Sequence, residues 1–188
     1  LDIHLHACPL DPLVVRHDDR RSDQMQNLVI LGAGTAGTLM FNKLNKKLDK
    51  LEWSLTIVDK DETHYYQPGF LFIPFGMYTK EQVVRNKRDF LPKGANIILK
   101  EIERITPDEN KVVMTDGTTL DYDVLIVATG TTPRPDETPG LDGPLWHKDI
   151  FDFYTYEGAC NLADRLATWE GGKLVISIAE SVFKCPVA

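Results

Sequence analysis

No apolar run in the chain approaches the roughly 18 residues that would suggest a membrane span; the longest, around Leu28–Ala33 and Val124–Ala128, stop far short. Positive charge is also scarce. There are 21 basic against 28 acidic side chains, a formal net charge of −7, which argues against a general nucleic-acid binder because that role needs a cationic face. Cysteine is limited to Cys8, Cys160 and Cys185, with no Cys-x-x-Cys pair, so neither a secreted disulfide scaffold nor a zinc ribbon is expected. Internal repeats and low-complexity tracts are missing as well. What is present, 43% hydrophobic and 26% charged residues in 188, is the balance of a globular protein with room for one ordinary domain or part of a larger one.

Regular periodicity is absent from the first 24 residues, which include Pro9, Pro12 and the polar run His17–Asp23. The chain opens on Leu1, and Met25 stands just before the first apolar strand. Residues 1–24 therefore read as a disordered extension, or as upstream sequence translated by accident. His4, His6 and Cys8 have ligand chemistry, but three donors on a floppy segment lack the supporting contacts a metal site needs, and no metal is expected. At the other end the chain breaks off soon after an apolar strand, which reads as a fragment.

Between these ends the pattern is strand, helix, strand, then a meander and another strand. Asn27–Leu31 and Leu55–Val58 read as strands. Between them, Thr35–Leu48 carries Leu39, Met40, Phe41, Leu44 and Leu48 at near-helical spacing, with lysines towards its C-terminal end, where cations suit the helix dipole. An irregular aromatic stretch runs from His64 to Tyr78. Capping-box spacing of Thr79 and Gln82 predicts a helix over Thr79–Phe90. Asn96–Lys100, Glu101–Ile105 and Lys111–Thr115 read as strands with a turn at Asp116-Gly117, and Tyr122–Ala128 as a buried strand from its continuous apolar run. A proline-rich loop at Thr131–Pro144 precedes a helix over Tyr154–Trp169 and a last strand over Lys173–Ala179. This order implies an α/β architecture with a mainly parallel sheet.

The first strand runs into Gly32-Ala33-Gly34-Thr35-Ala36-Gly37, a Gly-x-Gly-x-x-Gly. Gly32 permits the tight turn, Gly34 lets backbone approach a pyrophosphate, and Gly37 lets the helix pack closely on the sheet, while free N–H groups at the helix start face the anion. Asp59 follows 22 residues beyond Gly37, at the end of the second strand, where a carboxylate can accept both ribose hydroxyls of an adenosine. A dinucleotide site of Rossmann-like type is the reading. Periodicity does not decide between FAD and NAD.

Resemblance does. Tyr122-Asp123-Val124-Leu125-Ile126-Val127-Ala128-Thr129-Gly130 is similar to the Ala-Thr-Gly strand of flavoproteins with two dinucleotide-binding domains, the large group around pyridine nucleotide–disulfide oxidoreductases. The resemblance runs from Asn27 to the end and implies FAD, held by Gly32, Gly34, Thr35, Ala36, Gly37, Asp59, Lys60, Ile102, Thr129 and Gly130. It also implies a division into residues 25–145, the first part of an FAD-binding domain, and 146–188, the start of a second, incomplete one.

In members that use NAD(P)H, a second glycine-rich turn follows the next strand. Here Glu180-Ser181-Val182-Phe183-Lys184 holds no glycine, and Cys185 stands between Lys184 and Pro186. A neighbouring ammonium and a new helix start at Pro186 both favour a thiolate. Phe183-Lys184-Cys185-Pro186, together with His64-Tyr65-Tyr66-Gln67-Pro68-Gly69, closely resembles sulfide:quinone oxidoreductases. That resemblance implies that Cys185 is one of two redox cysteines at the flavin, that sulfide is the electron donor and a membrane quinone the acceptor, and that peripheral membrane contact is made by C-terminal parts. A homo-oligomer is possible on the same basis. The family's partner cysteine falls beyond Ala188, and Thr131-Thr132-Pro133 stands where some members carry a third.

Other readings stay open at this point: the flavoprotein subunit of a sulfide dehydrogenase with a cytochrome acceptor, a type II NADH:quinone dehydrogenase, or an inactive FAD-binding module. Cys160 reads as core filler. His64 and His147 read as packing or hydrogen-bonding groups rather than acid–base catalysts. Core packing is also the simpler role for Tyr65, Tyr66, Phe70, Phe72 and Phe75, with a quinone-facing wall as the alternative.

Overall fold

The computed structural model describes residues 24–178. Its centre is a four-stranded parallel sheet in the order β5-β2-β1-β9, formed by β1 (Gln26–Leu31), β2 (Trp53–Asp59), β5 (Asn96–Leu99) and β9 (Val124–Val127). Leu28 pairs with Leu55 on one side and Val124 on the other, so β1 is central. Its run of four consecutive apolar residues is explained by cover on both faces. On one face Leu28 and Ile30 pack with Ala33, Ile57 and Phe41 of helix α1 (Thr35–Lys47). On the other, Val29 and Leu31 pack with Val58 and with Val112 and Met114 of an antiparallel meander. That meander is β6 (Ile102–Thr106), β7 (Lys111–Met114) and β8 (Thr119–Asp121).

The α/β architecture expected from the sequence is therefore observed, but several elements differ. The expected helix over Thr79–Phe90 does not form. Gln82 Oε1 does accept from the Thr79 N–H at 2.8 Å, half of the anticipated cap. Only a single 3-10 turn, Glu81–Val83, follows before the chain becomes extended. There β4 (Val84–Asn86) pairs antiparallel with β3 (Thr63–Tyr65). Tertiary pairing of β-branched Val84 overrides a local helical signal. The Asn86 side chain then caps a second 3-10 turn, Lys87–Phe90, by accepting from the Arg88 N–H.

Strand β9 is the sheet edge rather than a buried strand: Val124–Ile126 are half-buried and Val127 is 60% exposed. In α1, Leu39 and Met40 face solvent, leaving Phe41, Leu44 and Leu48 for the core. The expected last strand is also not formed over residues 173–178, where Leu174, Val175, Ile176 and Ile178 are all exposed. Strand propensity alone does not make a strand; a ladder needs a partner, and no described strand pairs with this segment.

The second helix, α2 (Tyr156–Ala167), forms within the span expected for it. The Thr155 hydroxyl caps it by accepting from the Gly158 N–H at 3.0 Å. Ala159 and Cys160 are buried against Phe70, Ile73 and Val83, with Phe70 and Ile73 coming from the 3-10 segment Gln67–Phe75. Cys160 is thus core filler, and burial pushes its thiol up from the ordinary value. Of the aromatic stretch, Phe70 is core, whereas Tyr65, Tyr66 and Phe75 are exposed. His64 lies against Phe90 with ring centres 4.5 Å apart, and His147 stacks on Trp146 at 4.7 Å, as packing groups do.

Candidate functional site

Parallel strands all point their carboxyl ends the same way, and the expected binding residues lie on that edge. The chain leaves β1 to form β2 on one side and returns later to form β9 on the other. The crevice between β1 and β9 is thus the point where strand order reverses, the place where open α/β sheets bind ligands.

Gly32 makes the turn there with φ +92°, a left-handed conformation that favours glycine. Its N–H donates to Val58 O at 2.7 Å, fixing the turn to β2. A Cβ on Gly32 would lie 2.7 Å from the Ala128 carbonyl carbon and 2.9 Å from Thr129 Cα. The glycine turn and the Ala128-Thr129-Gly130 segment are therefore in direct backbone contact, which is how residues about 100 apart come to share one site. Gly130 also has a positive φ, +77°.

Gly34 is the N-cap of α1, with φ −74° and ψ −164°, and no side chain caps that end. No acidic residue stands in the first turn. The positive end of the helix dipole is left for an anion. Gly37 serves packing: a Cβ there would overlap the Gly32 carbonyl oxygen. A Cβ on Gly34, by contrast, would meet no atom within 4 Å, because that residue faces open space. Gly32 thus makes the tight turn and Gly37 the close helix packing, while Gly34 is left facing open space.

Asp59, at the end of β2, is held on three sides. Its Oδ2 accepts from the Ala33 N–H at 2.6 Å. Its Oδ1 accepts from the Lys60 N–H at 2.7 Å. Lys87 Nζ stands 2.7 Å from the same Oδ1 in an ion pair whose side chains are 6% and 14% exposed. The Lys87 ammonium also donates to the Asp61 carbonyl oxygen at 2.8 Å and to Asp61 Oδ1 at 3.1 Å. Burial works to raise the Asp61 carboxyl, but the Thr63 N–H and the Lys87 ammonium outweigh it and hold Asp61 below the usual carboxylate range. Ile102 opens β6 beside this end of the sheet and packs against the cluster containing Val58.

Gly32, Gly34, Thr35, Ala36, Gly37, Asp59, Lys60, Thr129 and Gly130 thus gather at the strand ends, and Ile102 adjoins them. Cys185 lies outside the described residues, as do His4, His6 and Cys8. Lys87 is the residue that sequence reasoning missed. In the sequence it is one lysine in a polar stretch, and only the β3–β4 pairing carries it under Asp59. Two shallow concavities occur elsewhere. One is lined by Arg88, Leu91 and Pro92; the other, between Met25, Trp53 and Asn96, is at the amino ends of the strands, opposite the site. Among the described residues no group of acidic, histidine or cysteine side chains could hold a metal ion, and no helix is long and apolar enough to cross a membrane.

A glycine turn at the switch point, an uncapped helix and a fixed carboxylate one strand away define a dinucleotide-binding α/β domain. Comparison with known proteins narrows this. The chain belongs to the pyridine nucleotide-disulphide oxidoreductase family, whose model matches residues 26–172. It is similar to the mitochondrial sulfide:quinone oxidoreductase of Dictyostelium discoideum, 28% identical over 169 residues, covering 89% of this chain and 37% of the relative. A type II NADH:quinone oxidoreductase of Staphylococcus aureus is 31% identical over 123 residues, 65% of this chain and 30% of the relative. Among solved structures, the sulfide:quinone oxidoreductase of Aquifex aeolicus has the same fold, with a TM-score of 0.60 at 22% identity, covering 76% of this chain and 32% of that one. The chain spans 30% to 37% of the length of these relatives.

Proposed function

We propose that this chain is the first FAD-binding segment of a flavoenzyme that oxidises sulfide and reduces a membrane quinone. The residues suit the cofactor. Gly34 leaves open space before an uncapped helix end, and the backbone N–H groups of Thr35 and Ala36 would receive the diphosphate there. Asp59 would take the adenosine ribose, beside Lys60, with Ile102 next to the adenine and Thr129-Gly130 along the diphosphate arm. Bound FAD would supply a two-electron acceptor, which oxidation of sulfide requires.

The chemistry beyond binding rests on the sequence around Cys185. The sequence Glu180-Ser181-Val182-Phe183-Lys184 holds no glycine, the residue that close backbone approach to a second pyrophosphate would need, so a nicotinamide donor is disfavoured. Cys185, flanked by Lys184 and Pro186, has the setting of a reactive thiolate. Similarity to a sulfide:quinone oxidoreductase over 89% of the chain is the observation that carries the reading. Membrane contact would be peripheral, through regions outside this chain, and residues 146–188 would open a second dinucleotide-binding-like domain.

The 31% identity to a type II NADH:quinone oxidoreductase favours NADH as the rival donor. An anaerobic titration of the full-length flavoprotein separates the two, following flavin absorbance as sulfide and NADH are added separately. Bleaching by sulfide, lost in Cys185→Ser while FAD is retained, is the expected result. Bleaching by NADH alone, or normal sulfide reduction in Cys185→Ser, would overturn the assignment.

A further inference from the structure

The turn that leads towards α2 holds an uncommon backbone. His147 has φ +57°, a left-handed conformation that a residue with a side chain takes only at a cost. The turn is tightly tied: the Lys148, Asp149 and Ile150 N–H groups donate to the Leu145 carbonyl oxygen at 3.0 Å, and the His147 N–H donates to Ile150 O at 2.7 Å. In that conformation the imidazole stacks on Trp146, with its Nε2 3.5 Å from Asp152 Oδ1 and its Nδ1 3.8 Å from Glu157 Oε1. No hydrogen bond closes either contact. His147 Nε2 and Asp152 Oδ2 are buried atoms without a hydrogen-bond partner among the described residues, on side chains 16% and 13% exposed. Asp152 Oδ1 accepts from the Thr155 hydroxyl at 2.8 Å, the same hydroxyl that caps α2. Gly158 makes room for this carboxylate, since a Cβ there would overlap Asp152 Oδ1.

A buried carboxylate that faces a neutral imidazole across such a gap is costly. Burial accordingly pushes the Asp152 carboxyl up from its ordinary value. A second proton on the ring changes the balance, because both nitrogens can then donate, one to each carboxylate. Of the other charged groups at this turn, Asp149 pairs with Arg165 of α2 at 3.2 Å, and Lys148 follows His147 in the chain. From this cluster we infer that His147, Asp152 and Glu157 form a proton-operated clasp. With the imidazole protonated it fastens the turn to the first residues of α2, and with the imidazole neutral it is released. Histidine ordinarily titrates between about pH 5 and 8, so the clasp is closed on the acid side of that range and opens as pH rises through it. It lies where the two expected parts of the chain meet, and α2 packs on Phe70, Ile73 and Val83 of the first part. Proton uptake thus stiffens that connection, whatever donor and acceptor the enzyme uses.

Hydrogen exchange read by mass spectrometry on the full-length flavoprotein tests this, through peptides covering residues 145–158 at about pH 6 and about pH 8. His147→Asn removes the titrating ring and keeps a residue that tolerates the left-handed conformation. Its exchange at each pH supplies the intrinsic pH dependence of the chemistry, which cancels in the ratio to the parent. Protection in the parent relative to His147→Asn is expected to be about tenfold greater at the lower pH, the factor that goes with a hydrogen bond to a charged group. The ratio of parent to Asp152→Asn, whose side chain is isosteric, reads the same difference without altering the turn. Glu157→Gln should lessen the effect only in part, because Glu157 is 78% exposed and its ion pair is screened. The same parent-to-variant ratio at both pH values would overturn the clasp. So would a pH-dependent difference from His147→Asn that survives when both proteins carry Asp152→Asn, since protonation would then act without the buried carboxylate.

Discussion

Replacing Gly34 by alanine should separate ligand binding from folding. Gly34 sits at φ −74° and ψ −164°, a conformation open to any residue, and an added Cβ meets nothing within 4 Å. Two small effects on stability oppose each other. Alanine is the poorer N-cap, by about 0.5–1 kcal/mol. Loss of glycine's freedom in the unfolded chain returns about 0.4–1 kcal/mol. The net should lie within about 0.5 kcal/mol of zero, a melting shift of no more than about 2 °C for a domain of this size. Binding is another matter. The methyl group would occupy the open face before the helix N–H groups and push a diphosphate out of hydrogen-bond reach, so FAD affinity should fall by about 10–100-fold. Gly37→Ala is the contrast. Its Cβ would overlap the Gly32 carbonyl oxygen, a backbone atom that cannot swing aside. A helix-propensity gain of about 1 kcal/mol is overcome by backbone displacement, and the variant should be destabilised by about 1–3 kcal/mol. Thermal melts by circular dichroism and FAD titration calorimetry on both variants measure the two effects separately. FAD bound by Gly34→Ala as tightly as by the parent chain would refute the phosphate cradle. Unfolding of Gly34→Ala would refute the open geometry on which the estimate stands.

Two further outcomes follow from the same structure. Phe41, 2% exposed between α1 and the sheet, should cost about 3–5 kcal/mol when truncated to alanine, read from denaturant unfolding, and a loss below about 1 kcal/mol would mean that α1 is not docked as described. Asp61 is held below the usual carboxylate range in the folded chain, so its contribution is present above the unfolded value and lost as pH falls through the folded one. Melting temperature measured from neutral pH down to about pH 3 should therefore drop more steeply in the parent chain than in Asp61→Asn, and parallel curves would remove the Lys87–Asp61 contact from the stability account.

Much of this site is legible in the sequence because it is built from backbone. A glycine required by φ +92° at residue 32, or by backbone contact at residue 37, leaves its mark as a letter. The parallel sheet is legible for a similar reason, since a strand covered on both faces must be apolar throughout, as Leu28–Leu31 is. Lys87 has no such mark. Its burial depends on β3 and β4 pairing, and the segment's own local signal, Thr79 with Gln82, points to a helix. The residues at 173–178 fail for the complementary reason: their sequence has the strand pattern, but whether a strand exists depends on what lies next to it.

The contact between Gly32 and Thr129 also sets an order of events. β1 pairs with β2 across a short connection through α1, whereas the Asn27 N–H reaches the Asp123 side chain, 96 residues along the chain. Closing so long a loop costs more entropy and is intrinsically slower than closing the β1–α1–β2 unit. The half of the site formed by the glycine turn and Asp59 can exist early, but the wall supplied by Ala128-Thr129-Gly130 arrives only when β9 docks. A nucleotide that needs both halves then selects chains that have finished the slow step, and by mass action it holds them there. Cofactor loading would thereby act as a checkpoint on the longest-range pairing in the sheet.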